Sequence, residues 1–202
     1  RELVNRSAEK YPNNVAYKFK RNLGKPNQVI IEKTYKEVKE EVEALGTMLL
    51  NMGLENKKVA LIGNNRYEWC ESYFAVTTSN MVVVPLDKAL PNQEIKSLIE
   101  RSQADAVIYE NKYSEVFNSL REENNETLKY YINMDLKQNE NGVLSFTKLI
   151  EDGKELLNKG DEKYSQVKID NEKMSILIFT SGTTSQAKGV MLCHRNLAEN
   201  VN

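Results

Sequence analysis

The sequence is poor in the residues that build metal sites, disulfide frameworks and membrane spans. Its only cysteines are Cys70 and Cys193. They lack the paired spacing of a zinc site, and two thiols make no disulfide framework, so two reduced thiols in a cytoplasmic protein are expected. His194 is the only histidine. That excludes a histidine-rich metal site and gives a Ser-His-Asp triad a single candidate. The apolar run before Pro85, Met81 to Val84, is far too short to cross a bilayer, and no basic stretch followed by an apolar one marks a signal peptide. The chain opens on Arg1 rather than methionine, so a trimmed N-terminus is expected and targeting there is not readable. Charge of one sign is also lacking: Lys plus Arg is 28, Asp plus Glu is 29, and the net charge is -1. That balance gives no reason to expect a nucleic-acid partner. The expected setting is cytoplasmic, with membrane contact and oligomeric state left to the full-length protein.

What is present suits a globular protein. The 202 residues are 40% hydrophobic and 28% charged, enough for one sizeable domain or two small ones. Val15 to Lys20 and Val29 to Lys33 read as a hairpin around the polar loop Asn22 to Gln28. Thr34-x-x-Glu37 has the pattern of a capping box. Val38, Val42, Leu45, Leu49 and Met52 then form one helical face, with Gly53 as the stop. Val59–Ile62, Val82–Val84, Ala106–Tyr109 and Leu128–Ile132 read as strands. The helices between them are expected from Asn65 (paired with Glu68 as a cap), from Pro91 and from Tyr113. A helix from Phe146 to Leu157 has Ser145 as its cap, Gly160 to Lys173 reads as a polar connector, and Ile176–Phe179 as a last buried strand. Strand starts recur at about 23 residues, the pitch of a βα unit with short loops. The fold class is therefore α/β, a mostly parallel sheet with flanking helices and an N-terminal β-hairpin.

The last strand delivers the stretch TSGTTSQAKGVMLCH, Thr180 to His194. Hydroxyls and main-chain N–H groups in a glycine-containing turn converge readily on an anion, and Lys188 adds a mobile cation. An ordinary turn is the bland reading. A Walker A loop is the first specific one, since Gly182 and Lys188 have its separation. However, Ala187 replaces the glycine before the lysine, Gly189 replaces the Ser/Thr that binds magnesium, and Gly189–Leu192 reads as a strand rather than a helix.

The stretch more closely resembles the phosphate-binding motif of the adenylate-forming, or AMP-binding, synthetase superfamily, Thr-Ser-Gly-Thr-Thr-Gly-x-Pro-Lys-Gly. Seven of its nine specified positions agree; Ser185 stands for glycine and Ala187 for proline. Residues 34–54, 57–76 and 82–109 also resemble the family's early helix and its first strand-helix-strand units, in the family's order. The block Asn64-Asn65-Arg66-x-Glu68-Trp69 looks most like the branch that activates long-chain fatty acids, with a helix cap and a core tryptophan favoured over any direct chemical role for it.

The resemblance implies an acid–thiol ligase. It would use ATP and magnesium to turn a carboxylic acid, a long-chain fatty acid by this likeness, into an acyl-adenylate, and would pass the acyl group to coenzyme A. Thr180, Ser181, Gly182, Thr183 and Thr184 would cradle phosphates, and Lys188 would be the catalytic cation on them. Magnesium ligands are expected outside this chain, and no metal ligand is assigned here. Residues 1–202 would be a partial AMP-binding domain, its N-terminal sub-domain, inactive by itself. Two alternatives stand: an amino-acid or aryl-acid adenylating relative, and a non-catalytic nucleotide-binding or interaction module whose loop is degraded at Ser185 and Ala187. For His194, a structural place near the start of the last helix is favoured over a role at the acyl site.

Overall fold

The computed structural model describes residues 1–22, 24–123, 127–180 and 187–200. Helix α1 (Glu2–Lys10) leads into the antiparallel hairpin of β1 (Val15–Arg21) and β2 (Val29–Thr34). Helix α2 (Tyr35–Asn51) follows without a loop because its cap is built into the end of β2. The Thr34 hydroxyl accepts from the Glu37 amide at 3.2 Å, and the Glu37 carboxylate accepts from the Thr34 amide at 2.7 Å. These bonds occupy donors that a helix start otherwise leaves bare. They also hold the Glu37 carboxyl below its ordinary range, the Thr34 backbone bond first. Val38, Val42, Leu45 and Leu49 are buried as their spacing requires, and Gly53 takes the left-handed turn at φ +79.

Four strands then repeat a strand-helix unit: β3 (Lys58–Ile62), β4 (Val82–Pro85), β5 (Ala106–Tyr109) and β6 (Tyr130–Asn133). Between them lie α3 (Tyr67–Thr77), α4 (Asn92–Ser102) and α5 (Ser114–Glu122). The short β7 (Leu144–Ser145), α6 (Phe146–Asn158), α7 (Lys163–Gln166), β8 (Met174–Thr180), β9 (Lys188–Cys193) and α8 (His194–Glu199) complete the order. The seven-stranded sheet runs β7-β6-β5-β3-β4-β8-β9, parallel throughout except for the antiparallel β8–β9 pair.

The chain steps from β3 to β4 in one direction, then crosses back over β3 to β5 and β6. Right-handed crossovers therefore put the intervening helices on opposite faces. One core joins α2, α3, α6 and α7 to the sheet through Leu45, Leu49, Val76, Leu149 and Tyr164. The other joins α4 and α5 through Ile95, Ile99, Phe117 and Leu120. Helices α2 and α6 approach closely: a Cβ added to Gly153 would lie 2.0 Å from the Ala44 carbonyl oxygen. Among the described residues no helix is long and apolar enough to cross a membrane.

The structure corrects the expectations in several places. Asn65 does not cap α3. The cap position is Arg66, with no side-chain cap bond, because the Glu68 carboxylate is drawn to Arg66 Nε at 2.7 Å and to Arg21 instead of folding back. Pro91 stands at the cap of α4, just before its first turn. The polar connector contains α7, which buries Tyr164, and α1 was not anticipated at all. The Ser145 cap is as expected, accepting from the Lys148 amide at 3.2 Å.

Candidate functional site

In an open parallel sheet, ligands gather beyond the carboxyl ends of the strands, where the order reverses. Here the reversal lies between β3 and β5. The space beyond them is closed by the protein's own groups. Glu110 accepts from the Asn64 amide at 2.8 Å and from its side-chain nitrogen at 3.1 Å. Asp135 accepts from Arg66 and from the Asn111 amide, at 2.7 and 2.8 Å. Burial alone would raise the Glu68 carboxyl beside them, but Arg66, and then Arg21, hold it below its ordinary value. These bonds tie the crevice residues to one another.

The same edge of the sheet ends differently at β8 and β9. Their register sets Thr180 opposite Lys188, Ile178 opposite Val190 and Ile176 opposite Leu192. Side chains alternate across a strand. Ile176, Ile178 and Leu192 pack into the α2–α3 core, whereas Leu177 and Phe179 pack into the α4–α5 core. Thr180 and Lys188 continue the first series, so they leave the ribbon on one face, and both are exposed. Lys188 makes no ion pair with any described residue. A Cβ at Gly189 would come within 3.1 Å of Leu177 Cδ1, so a side chain there would crowd that leucine.

Of the sequence-predicted site residues, the structure brings Thr180 and Lys188 together at the ribbon's tip. Ser181, Gly182, Thr183 and Thr184 lie outside the described residues, as does Ser185. His194 stands at the other end of the ribbon, roughly 20 Å from Lys188 at the rise of a strand. There it begins α8 behind the cap residue Cys193. Burial chiefly, then the charge of the nearby N-terminus, lowers its pKa, and a hydrogen bond to the Thr77 backbone opposes them. That is a structural setting, remote from the lysine. Trp69 is half-buried and stacks on Tyr73 at 5.7 Å. Cys70 and Cys193 are free thiols, and burial pushes the Cys70 thiol up. Among the described residues no group of three acidic, histidine or cysteine side chains could hold a metal.

Sequence reasoning missed two features. Arg101, in the last turn of α4, donates to the Ala187 carbonyl and lies over the Phe179 ring at 5.3 Å. A surface arginine in a helical repeat carries no signal of such a contact. Glu71, only 2% exposed, keeps one carboxylate oxygen without a partner among the described residues. Its position on the inner face of α3 was readable, but its isolation was not.

The sequence model of the AMP-binding enzyme family matches residues 4–202. This chain belongs to the AMP-binding enzyme family. The long-chain-fatty-acid–CoA ligase 5 of Rattus norvegicus is 32% identical over 189 residues, 88% of this chain and 27% of that protein. A long-chain-fatty-acid–CoA ligase from Archaeoglobus fulgidus superposes with a TM-score of 0.78 at 21% identity, over 98% of this chain and 37% of that one. An anthranilate CoA ligase crystallised with anthranoyl-AMP gives 0.76 at 20%, over 96% and 34%. At such identities the two structures speak for the fold. The chain thus spans between 27% and 37% of the length of these three proteins.

Proposed function

We propose that this chain carries the phosphate-binding ribbon of an ATP-dependent acid–thiol ligase. The enzyme would activate a carboxylic acid, a long-chain fatty acid by its relatives, as the acyl-adenylate and transfer it to coenzyme A. The observation that supports this is the pairing of Thr180 and Lys188 at the exposed carboxyl edge of the sheet. They stand at the two ends of a segment of hydroxyls and glycine, with no anionic partner for the lysine among the described residues.

The chemistry follows from charge. When a carboxylate attacks the α-phosphorus of ATP, negative charge builds on the departing pyrophosphate. Lys188 Nζ is a compact cation able to neutralise it, and Thr180 with the amides and hydroxyls of residues 181–184 would orient the phosphates. Thr180 and Lys188, exposed and cross-strand, suit such a polyanion. For magnesium the described residues supply no cluster, so when bound the ion would supply further neutralisation from ligands elsewhere. We further propose that residues 1–202 are the N-terminal sub-domain of the AMP-binding unit, a reading supported by the share of the relatives' length that they span.

Carboxylate-dependent ATP–pyrophosphate exchange by the full-length protein tests the reading, with acetate, benzoate, amino acids and fatty acids offered in turn. Fatty-acid-dependent exchange that falls about 100- to 1,000-fold in Lys188→Ala is expected. Exchange with another acid would move the substrate and keep the mechanism. No exchange with any acid from a folded protein would overturn it in favour of the non-catalytic module.

A further inference from the structure

We infer that Arg101 is a positioning residue for the phosphate ribbon: one guanidinium tethers the residues immediately before Thr180 and before Lys188. The inference rests on the ligase reading above and concerns how its cation is held. Arg101 donates to the carbonyl of Ala187 and lies 5.3 Å over the ring of Phe179. A peptide unit is planar, so anchoring the Ala187 carbonyl also orients the amide nitrogen of Lys188. On the other strand, the ring contact fixes Phe179, whose next residue is Thr180. A guanidinium suits this double duty, since its plane stacks on an aromatic face while its edge donates.

The base of the tether is firm. Arg101 is carried by α4, whose Ile95 and Ile99 are 0% exposed in the α4–α5 core. Ala187 and Phe179 pack against that same core. The register carries the tether to the site, for Thr180 and Lys188 face each other one residue beyond it. Ala187 itself brings little stiffness. A proline there would lock its own φ, and alanine leaves that angle to be set from outside. Arg101 does the setting.

The test compares Arg101→Gln, Arg101→Lys and Lys188→Ala in the full-length protein, with Ala187→Pro added to Arg101→Gln. In nucleotide-free protein, Arg101→Gln is expected to speed amide hydrogen exchange several-fold across residues 180–190 and to leave β3 to β6 unchanged. Acid-dependent pyrophosphate exchange is expected to slow roughly tenfold, the effect of a misplaced cation. Arg101→Lys keeps the charge without the flat donor edge and is expected to behave like the glutamine variant. Ala187→Pro is expected to restore most of the lost rate by stiffening the chain directly.

Full activity in Arg101→Lys would overturn the inference, because charge alone would then suffice. So would a slowed Arg101→Gln that Ala187→Pro does not rescue. If Arg101→Gln has no effect while Lys188→Ala abolishes exchange, positioning by Arg101 falls and the ligase reading stands. If Lys188→Ala is also silent in an active enzyme, the phosphate role of the ribbon falls with it.

Discussion

The middle of the sheet and its β8–β9 end are built on opposite terms. Strand β5 is buried along its whole length, with Val107 and Ile108 at 0% exposure, because helices cover both its faces. Strand β9 is an edge, and its Val190 and Met191 are 41% and 69% exposed. The middle spends its side chains on packing and closes even its crevice with internal ion pairs. The edge leaves Thr180 and Lys188 exposed, the lysine without an ion pair among the described residues. The proposed function thereby assigns stability and chemistry to different residues, and that separation can be tested.

The largest expected contrast sets Lys188→Ala against Gly153→Ala. The lysine change should cost its 100- to 1,000-fold in exchange rate while moving Tm by no more than about 2 °C, as for an exposed surface substitution. The glycine change should do the reverse. Its new methyl meets the Ala44 backbone, which no rotamer can relieve, so α2 and α6 must separate. A loss on the order of 3 kcal/mol, or roughly 6–12 °C in Tm, is expected by calorimetry. A large Tm shift in Lys188→Ala would break the separation.

A smaller effect is expected from Glu71→Gln, and it depends on pH. Burial first, then the carboxylates of Glu41 and Glu68, raise the Glu71 carboxyl well above 4.5, against Lys33 and Lys154. The folded state therefore keeps a proton that the unfolded chain gives up, and stability is lost as pH rises from about 4.5 through the folded pKa. Glutamine removes that loss. The variant should melt higher than the parent at pH 8, with the gap narrowing toward pH 4. Parallel melting curves across that range would show the buried carboxyl to be inert. The smallest effect is for Thr34→Ala, which removes half of the capping box and should cost about 1 kcal/mol, a few degrees in Tm, without changing exchange activity.

The same division explains what the sequence disclosed. In the middle, burial on both faces forces continuous apolar runs, so Val59–Ile62, Val82–Val84 and Ala106–Tyr109 could be read almost to the residue. Thr34 and Glu37 were legible because a cap needs those two residue types at that one spacing. Helix α1 was not, as it spans only nine residues and buries only Ala8, too short a stretch to repeat an apolar face. The Asn65 reading failed for a different reason: the pattern was there, but Arg66 beside it and Arg21, distant in sequence, took the glutamate that the pattern required. At the ribbon, residue types suggested the anion site proposed above, and the register put Thr180 opposite Lys188. The Arg101 tether joins residues far apart in the chain and has no local signature.

The ribbon is also fastened at its α8 end. Near α8, the Arg195 amide donates to the Asn171 carbonyl at 3.2 Å, and the Arg195 side chain meets Glu172 at 3.0 Å. The far tip carries Thr180 and Lys188. Mechanically the pair of strands is a cantilever, rooted near α8, and the anion proposed above would load it at its tip. Its free length, rather than its strength, governs how far that load deflects it, and Arg101 is the prop that shortens the span.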